Sequence, residues 1–132
     1  MKLNKIHHIA IICSDYAKSK AFYVDVPGLQ IVAETYRSER DSHKLDLALN
    51  GTYLIELFSF PNPPQRKSYP EAAGLRHLAF ETDDPDETIQ LLLESRLNVE
   101  PIRVDEFTGK RFTFTFDPDG LPSNSKKNDM SK

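Results

Sequence analysis

Apolar and polar positions alternate with period two over residues 8–11 and again over 77–80, the spacing of strands whose side chains fall on opposite faces. In each run His and Ala occupy one face (His8, Ala10; His77, Ala79), and larger apolar side chains occupy the other (Ile9, Ile11; Leu78, Phe80). Ser14-Asp15 and Asp83-Asp84 then supply N-cap chemistry for helices over 17–25 and 86–95. In the second helix Ile89, Leu92 and Leu93 stand at the i, i+3, i+4 spacing of a buried stripe. In the first, Ala21, Phe22 and positions 24–26 predict a less regular one.

Three β-like runs follow the first helix: 29–36, 44–49 and 53–60. After the second helix there are two, 99–104 and 111–116, the latter alternating Phe112, Phe114 and Phe116 with Arg and Thr. Aligning His8 on His77 places Asp15 on Asp84 without a gap, at an offset of 69 residues. The chain therefore reads as a duplicated βαβββ unit. The expected fold class is α+β: two modules whose helices cover one sheet face, and whose open faces form a curved mixed sheet around a shared hollow. Module 1 spans 1–60, a proline-rich linker 61–74, module 2 75–125 and a polar tail 126–132, all within a single domain over 1–132. After the turn signal Asp117-Pro118-Asp119-Gly120, where the eighth strand belongs, the residues become small and polar. The last strand of module 2 is therefore expected to be degraded or missing, with the alternative that the backbone of 122–125 still runs along that edge, since ladder hydrogen bonds need no particular side chain.

With 132 residues, 39% apolar and 28% charged, the chain suits one globular domain. A net charge of −3, with both signs mixed, argues against nucleic acid as a partner. No apolar run approaches membrane-spanning length, and the polar start predicts no signal peptide. The single Cys13 excludes an internal disulfide and any CxxC motif, in keeping with a reducing, cytoplasmic location.

Glu56 lies inside the apolar run "TYLIELFSF", and a carboxylate there needs a cation, an arginine or water in an open cavity. If Ile55 and Leu57 meet the helix, Glu56 faces the hollow. Taken singly, His8 or His77 could be a hydrogen-bonded core or surface residue, and Glu56 an edge-strand charge that deters aggregation. Two histidines at matched repeat positions together with one buried carboxylate point instead to a common metal site. By alternation His7 falls on the face opposite His8, and His43, among charges before a strand, reads as exposed.

The segments "HHIAI", "SKAFYVDVPGL", "YLIELF", "GLRHLAF", "FTGKRFTF" and "DPDGLP" resemble the vicinal oxygen chelate (glyoxalase/bleomycin resistance protein/dioxygenase) superfamily, and within it bacterial glyoxalase I-like proteins. That resemblance implies paired βαβββ modules around a divalent metal, with His8, Glu56 and His77 as ligands. It also implies a fourth ligand, a Glu four residues after the turn glycine, where this chain has Asn124. Asn offers a neutral carbonyl but no charge and no base. The remaining two-His, one-carboxylate set suits Ni, Zn, Mn or Fe. The implied function is that of a lactoylglutathione lyase-like metalloenzyme. It would act as a lyase or isomerase on a small 2-oxoaldehyde–thiol adduct, with a thiol such as glutathione as cofactor, impaired by loss of the fourth ligand. Glu56 would be the catalytic base. Arg76, Arg103, Lys110 and Arg111 are candidates for an anionic substrate tail, or a solvated charged surface. The resemblance further implies a homodimer. It leaves open a non-catalytic small-molecule binding or resistance protein, and a thiol transferase or dioxygenase.

Overall fold

The alternation at 8–11 becomes strand β1 (Ile9–Cys13) in a computed structural model that describes residues 1–95 and 100–126. The chain divides into two compact units, Met1–Gln65 and Arg66–Lys132, and each is described by itself.

In the first unit the Asp15 carboxylate accepts from the Lys18 N–H at 3.1 Å and starts helix α1 (Tyr16–Asp25) as an N-cap. The helix buries Ser19, Phe22 and Tyr23; of the expected stripe, Phe22 is buried, Val24 and Val26 are half-buried and Ala21 is exposed. Strands β2 (Gln30–Arg37), β3 (Ser42–Leu49) and β4 (Thr52–Ser59) complete a four-stranded sheet in the order β1-β4-β3-β2, with β1 and β4 parallel. Asn50 and Gly51, both at positive φ, turn β3 into β4, a conformation that favours these two residue types. Leu45, Leu47, Ile55 and Leu57 are fully buried on one face, each stabilising the unit by about 1.5–3 kcal/mol. Glu56 therefore lies on the opposite, open face, as alternation predicts.

Register breaks once within the β3–β4 pair. Leu47 stands opposite Ile55 and Ala48 opposite Tyr53, so Leu54 is an extra residue in β4. A bulge of this kind re-aims the side chains beyond it. Tyr53, which simple alternation assigns to the helix side, falls on the same face as Asp46, Ala48 and Glu56.

The second unit contains strand β5 (Leu78–Glu81), helix α2 (Pro85–Glu94), and strands β6 (Arg103–Val104), β7 (Arg111–Phe112), β8 (Phe114–Phe116) and β9 (Pro122–Lys126). Asp84 caps α2 by accepting from the Glu87 N–H at 3.0 Å. Ile89 is buried and Leu92 half-buried, but Leu93 is 53% exposed; the inward stripe runs through Pro85, Thr88, Ile89 and Leu92. The expected strand over 99–104 is ordered as a strand only at Arg103–Val104, and its first residue lies outside the described residues. The run over 111–116 is split at Thr113, whose hydroxyl turns inward to donate to the Glu100 carbonyl at 2.6 Å.

The eighth strand is present, contrary to the expectation of a degraded or missing one. Gly120, at φ +85°, closes a turn in which the Asp117 carboxylate accepts from the N–H groups of Asp119 and Leu121. Strand β9 then pairs parallel with β5 and antiparallel with β8. Ladder hydrogen bonds come from the backbone, so small polar side chains do not prevent the strand from forming. The polar tail retains Lys126 in this strand, and 127–132 lie outside the described residues. Among the described residues no helix is long and apolar enough to cross a membrane.

Candidate metal centre

In the first unit β1 and β4 run side by side with Ala10 opposite Glu56, which brings the preceding His8 to the carboxylate. His8 Nε2 lies 3.3 Å from Glu56 Oε2. His8 precedes the first ladder residue of β1 and is largely exposed, and its other ring nitrogen, Nδ1, lies 2.8 Å from Nδ1 of His7. Both imidazoles pack against the Tyr53 ring, at 5.3 Å between centroids. His7 is therefore a neighbour of the site, not a residue of the opposite face; alternation fails there because 7 and 8 precede the strand.

Three further side chains surround Glu56. The Tyr53 hydroxyl is 2.8 Å from Asp46 Oδ1 and 2.8 Å from Glu56 Oε2. Lys44 Nζ donates to Asp46 Oδ1 at 3.0 Å and to Oδ2 at 3.2 Å, and stands 4.0 Å from Glu56 Oε2. Burial and the two carboxylates push the Tyr53 hydroxyl well above the usual phenol range, so it is a proton donor. Burial works to raise the Asp46 carboxyl, but the Lys44 ammonium and the Tyr53 hydroxyl outweigh it and hold the group below its ordinary value.

The second unit repeats the framework with different chemistry. Ala79 stands opposite Asn124 in the parallel β5–β9 pair, as Ala10 stands opposite Glu56. Across the antiparallel pair, Asn124 faces Phe114, where Glu56 faces Asp46. Glu56 comes five residues after Gly51 and Asn124 four after Gly120; the bulge residue Leu54 accounts for the difference. Asn124 is 3% exposed, and its Oδ1 has no hydrogen-bond partner among the described residues. His77 is half-buried, its ring edge-on to Phe114 at 5.4 Å.

Two of the four cationic candidates, Arg103 and Arg111, have their guanidinium groups paired with acids. Arg103 pairs with Glu100 and lies over the Phe114 ring at 5.4 Å, and Arg111 pairs with Asp86 through Nε at 2.8 Å and through Nη2. Arg76 is exposed, its carbonyl accepting from Arg66, and the Lys110 N–H donates to Thr108. His43 is not an exposed residue before a strand; it lies within β3, half-buried and stacked on Tyr16 at 4.2 Å.

Sequence reasoning missed the group around Glu56. Lys44 and Asp46 were legible as the polar positions alternating with Leu45 and Leu47 in "KLDLAL". Tyr53 was not, because only the bulge turns it to this face.

The His8 and Glu56 atoms suit one ion. Nitrogen and oxygen ligands at about 2.1 Å from a tetrahedral centre lie about 3.4 Å apart, close to the separation seen. Within either unit, among the described residues, no three His, Cys, Asp or Glu side chains gather closely enough to hold a metal, so each unit offers at most a partial set.

Comparison with known proteins agrees with this framework. The chain is 66% identical over 122 residues to the uncharacterized protein YwkD of Bacillus subtilis (strain 168), covering 92% of this chain and 95% of YwkD. It is 61% identical over 120 residues to the uncharacterized protein YaeR of Escherichia coli (strain K12), covering 91% and 93%. The crystal structure of the glyoxalase family protein from Enterococcus faecalis superposes with a TM-score of 0.85 at 48% identity, covering 95% of this chain and 98% of that one. The model of the Glyoxalase/Bleomycin resistance protein/Dioxygenase superfamily matches residues 5–122, and the chain belongs to that superfamily.

Proposed function

We propose that the chain is a glyoxalase I-like lyase or isomerase that acts on a small 2-oxoaldehyde–thiol adduct, with His8, Glu56 and His77 holding a divalent Ni, Zn, Mn or Fe ion. The observation that carries the reading is the 3.3 Å approach of His8 Nε2 to Glu56 Oε2, a nitrogen and an oxygen spaced for one cation. The set is completed by His77, which the repeat puts at the position of His8, in the same chain or across a homodimer. Asn124, at the position of the family's second acid, contributes a buried and unpartnered carbonyl oxygen that adds no charge.

When bound, the ion supplies Lewis-acid polarisation of a substrate carbonyl. His7 can accept the Nδ1 proton of His8, which fixes the tautomer that leaves Nε2 free to ligate. With no acid at position 124, Glu56 is the group that removes and returns the substrate proton, and Tyr53 holds its Oε2 by a hydrogen bond. A thiol such as glutathione is the expected co-substrate, and the cytoplasm the expected location.

The test combines metal analysis of purified protein with an assay on methylglyoxal plus glutathione. Stoichiometric metal and turnover are expected, with turnover falling at least a hundredfold in Glu56→Gln. Retained activity in that variant would remove Glu56 as the base.

The neutral Asn124 favours a second reading, in which the protein binds a small molecule without turning it over. Absence of metal uptake with ligand binding intact would select it.

A further inference from the structure

Asp46 and Glu56 face each other directly across the β3–β4 pair. Like charges in this arrangement repel, and both are largely buried, at 16% and 15% side-chain exposure. A Lys44 ammonium at this spot could neutralise either carboxylate. It sits on Asp46, in two hydrogen bonds, and stops 4.0 Å short of Glu56. Tyr53 bridges the two acids with a hydroxyl that owns one proton, so it can donate to only one of them at a time. Glu56 is thus the less satisfied of the two acids.

Resting on the reading that Glu56 is a metal ligand, we propose that Asp46 is a positioning residue that holds the Lys44 ammonium off Glu56 and so keeps that carboxylate available to a divalent cation. Lys44 is in this sense a built-in competitor of the metal. Its four-carbon stem lets the ammonium swing from one carboxylate to the other, and Asp46 decides where it rests. Tyr53, turned to this face by the Leu54 bulge, supplies a neutral bridge that eases the repulsion without occupying Glu56 with a charge. The second unit lacks the device: Asn124 faces Phe114, with no acid pair to keep apart.

The probe is Mn²⁺ alone, with affinity measured by electron paramagnetic resonance on wild-type protein, Asp46→Asn, Lys44→Gln and the double variant, each checked for folding by its thermal midpoint. Asp46→Asn is expected to bind Mn²⁺ about tenfold more weakly, because the released ammonium moves onto Glu56. In the Lys44→Gln background the same Asp46→Asn change is expected to have an effect of less than about twofold, since no competitor remains to be restrained. A loss of equal size in both backgrounds would mean that Asp46 acts only as a distant negative charge, and would overturn the proposal, as would unchanged affinity in Asp46→Asn. Should Asp46→Asn not fold, Lys44→Gln alone serves instead: with the competitor removed, Mn²⁺ is expected to bind at least as tightly as in wild type, and weaker binding there would overturn the proposal. Wild-type protein that takes up no Mn²⁺, Ni²⁺ or Zn²⁺ would remove the underlying reading of Glu56 as a ligand, and the inference with it.

Discussion

Where the first unit has Glu56, the second has Asn124, one methylene shorter and without charge, buried with an unpartnered oxygen. Asn124→Glu tests what that difference means. An added carboxylate in this pocket is costly without a cation and a strong ligand with one. In chelator-treated protein the variant's thermal midpoint is expected to fall by several degrees; with Zn²⁺ or Mn²⁺ added it is expected to rise by more than that of wild type. A midpoint insensitive to metal would place position 124 outside any metal site. At this scale the sequence was legible where side-chain type and spacing agree. Glu56 amid apolar neighbours demanded an explanation, and the matched histidines suggested one. Residues preceding a strand escaped the pattern, which is why the contact of His7 with His8 was not foreseen.

Among elements, the β9 strand shows what alternation can and cannot report. Its partners β5 and β8 leave room for a backbone, and the backbone fills it whatever side chains it carries. A polar run reports on the burial of side chains and not on the satisfaction of backbone hydrogen bonds. The cost appears elsewhere: Ser123 is buried opposite Leu78 and Thr115, and its hydroxyl has no partner among the described residues. Ser123→Ala removes that unpaired group with no added volume and is expected to stabilise the protein by about 1 kcal/mol in urea unfolding. A destabilised variant would show that the hydroxyl is bonded after all. The helices were found by their caps, Asp15 and Asp84, and Phe22, Ile89 and Leu92 of the expected stripes turn inward, whereas Ala21 and Leu93, which the same spacing offered, face outward.

On the scale of the whole molecule, the repeat was the most informative signal, since a single offset matched strand to strand and cap to cap across half the chain. It carried the α+β architecture, whereas the pairing of each histidine's strand with an acid-position strand came from the structure. Association was not legible, because subunit contacts leave no periodic trace. The proposed homodimer is expected to sediment as one species at twice the chain mass over micromolar concentrations; a boundary at the chain mass would exclude it. Leu54 limits how far the symmetry extends. Because that extra residue exists on one side only, the halves are no longer interchangeable parts: a hairpin grafted from the second half into the first would arrive one step short, with Pro122 where Tyr53 stands and Phe114 and Asn124 in place of the two acids.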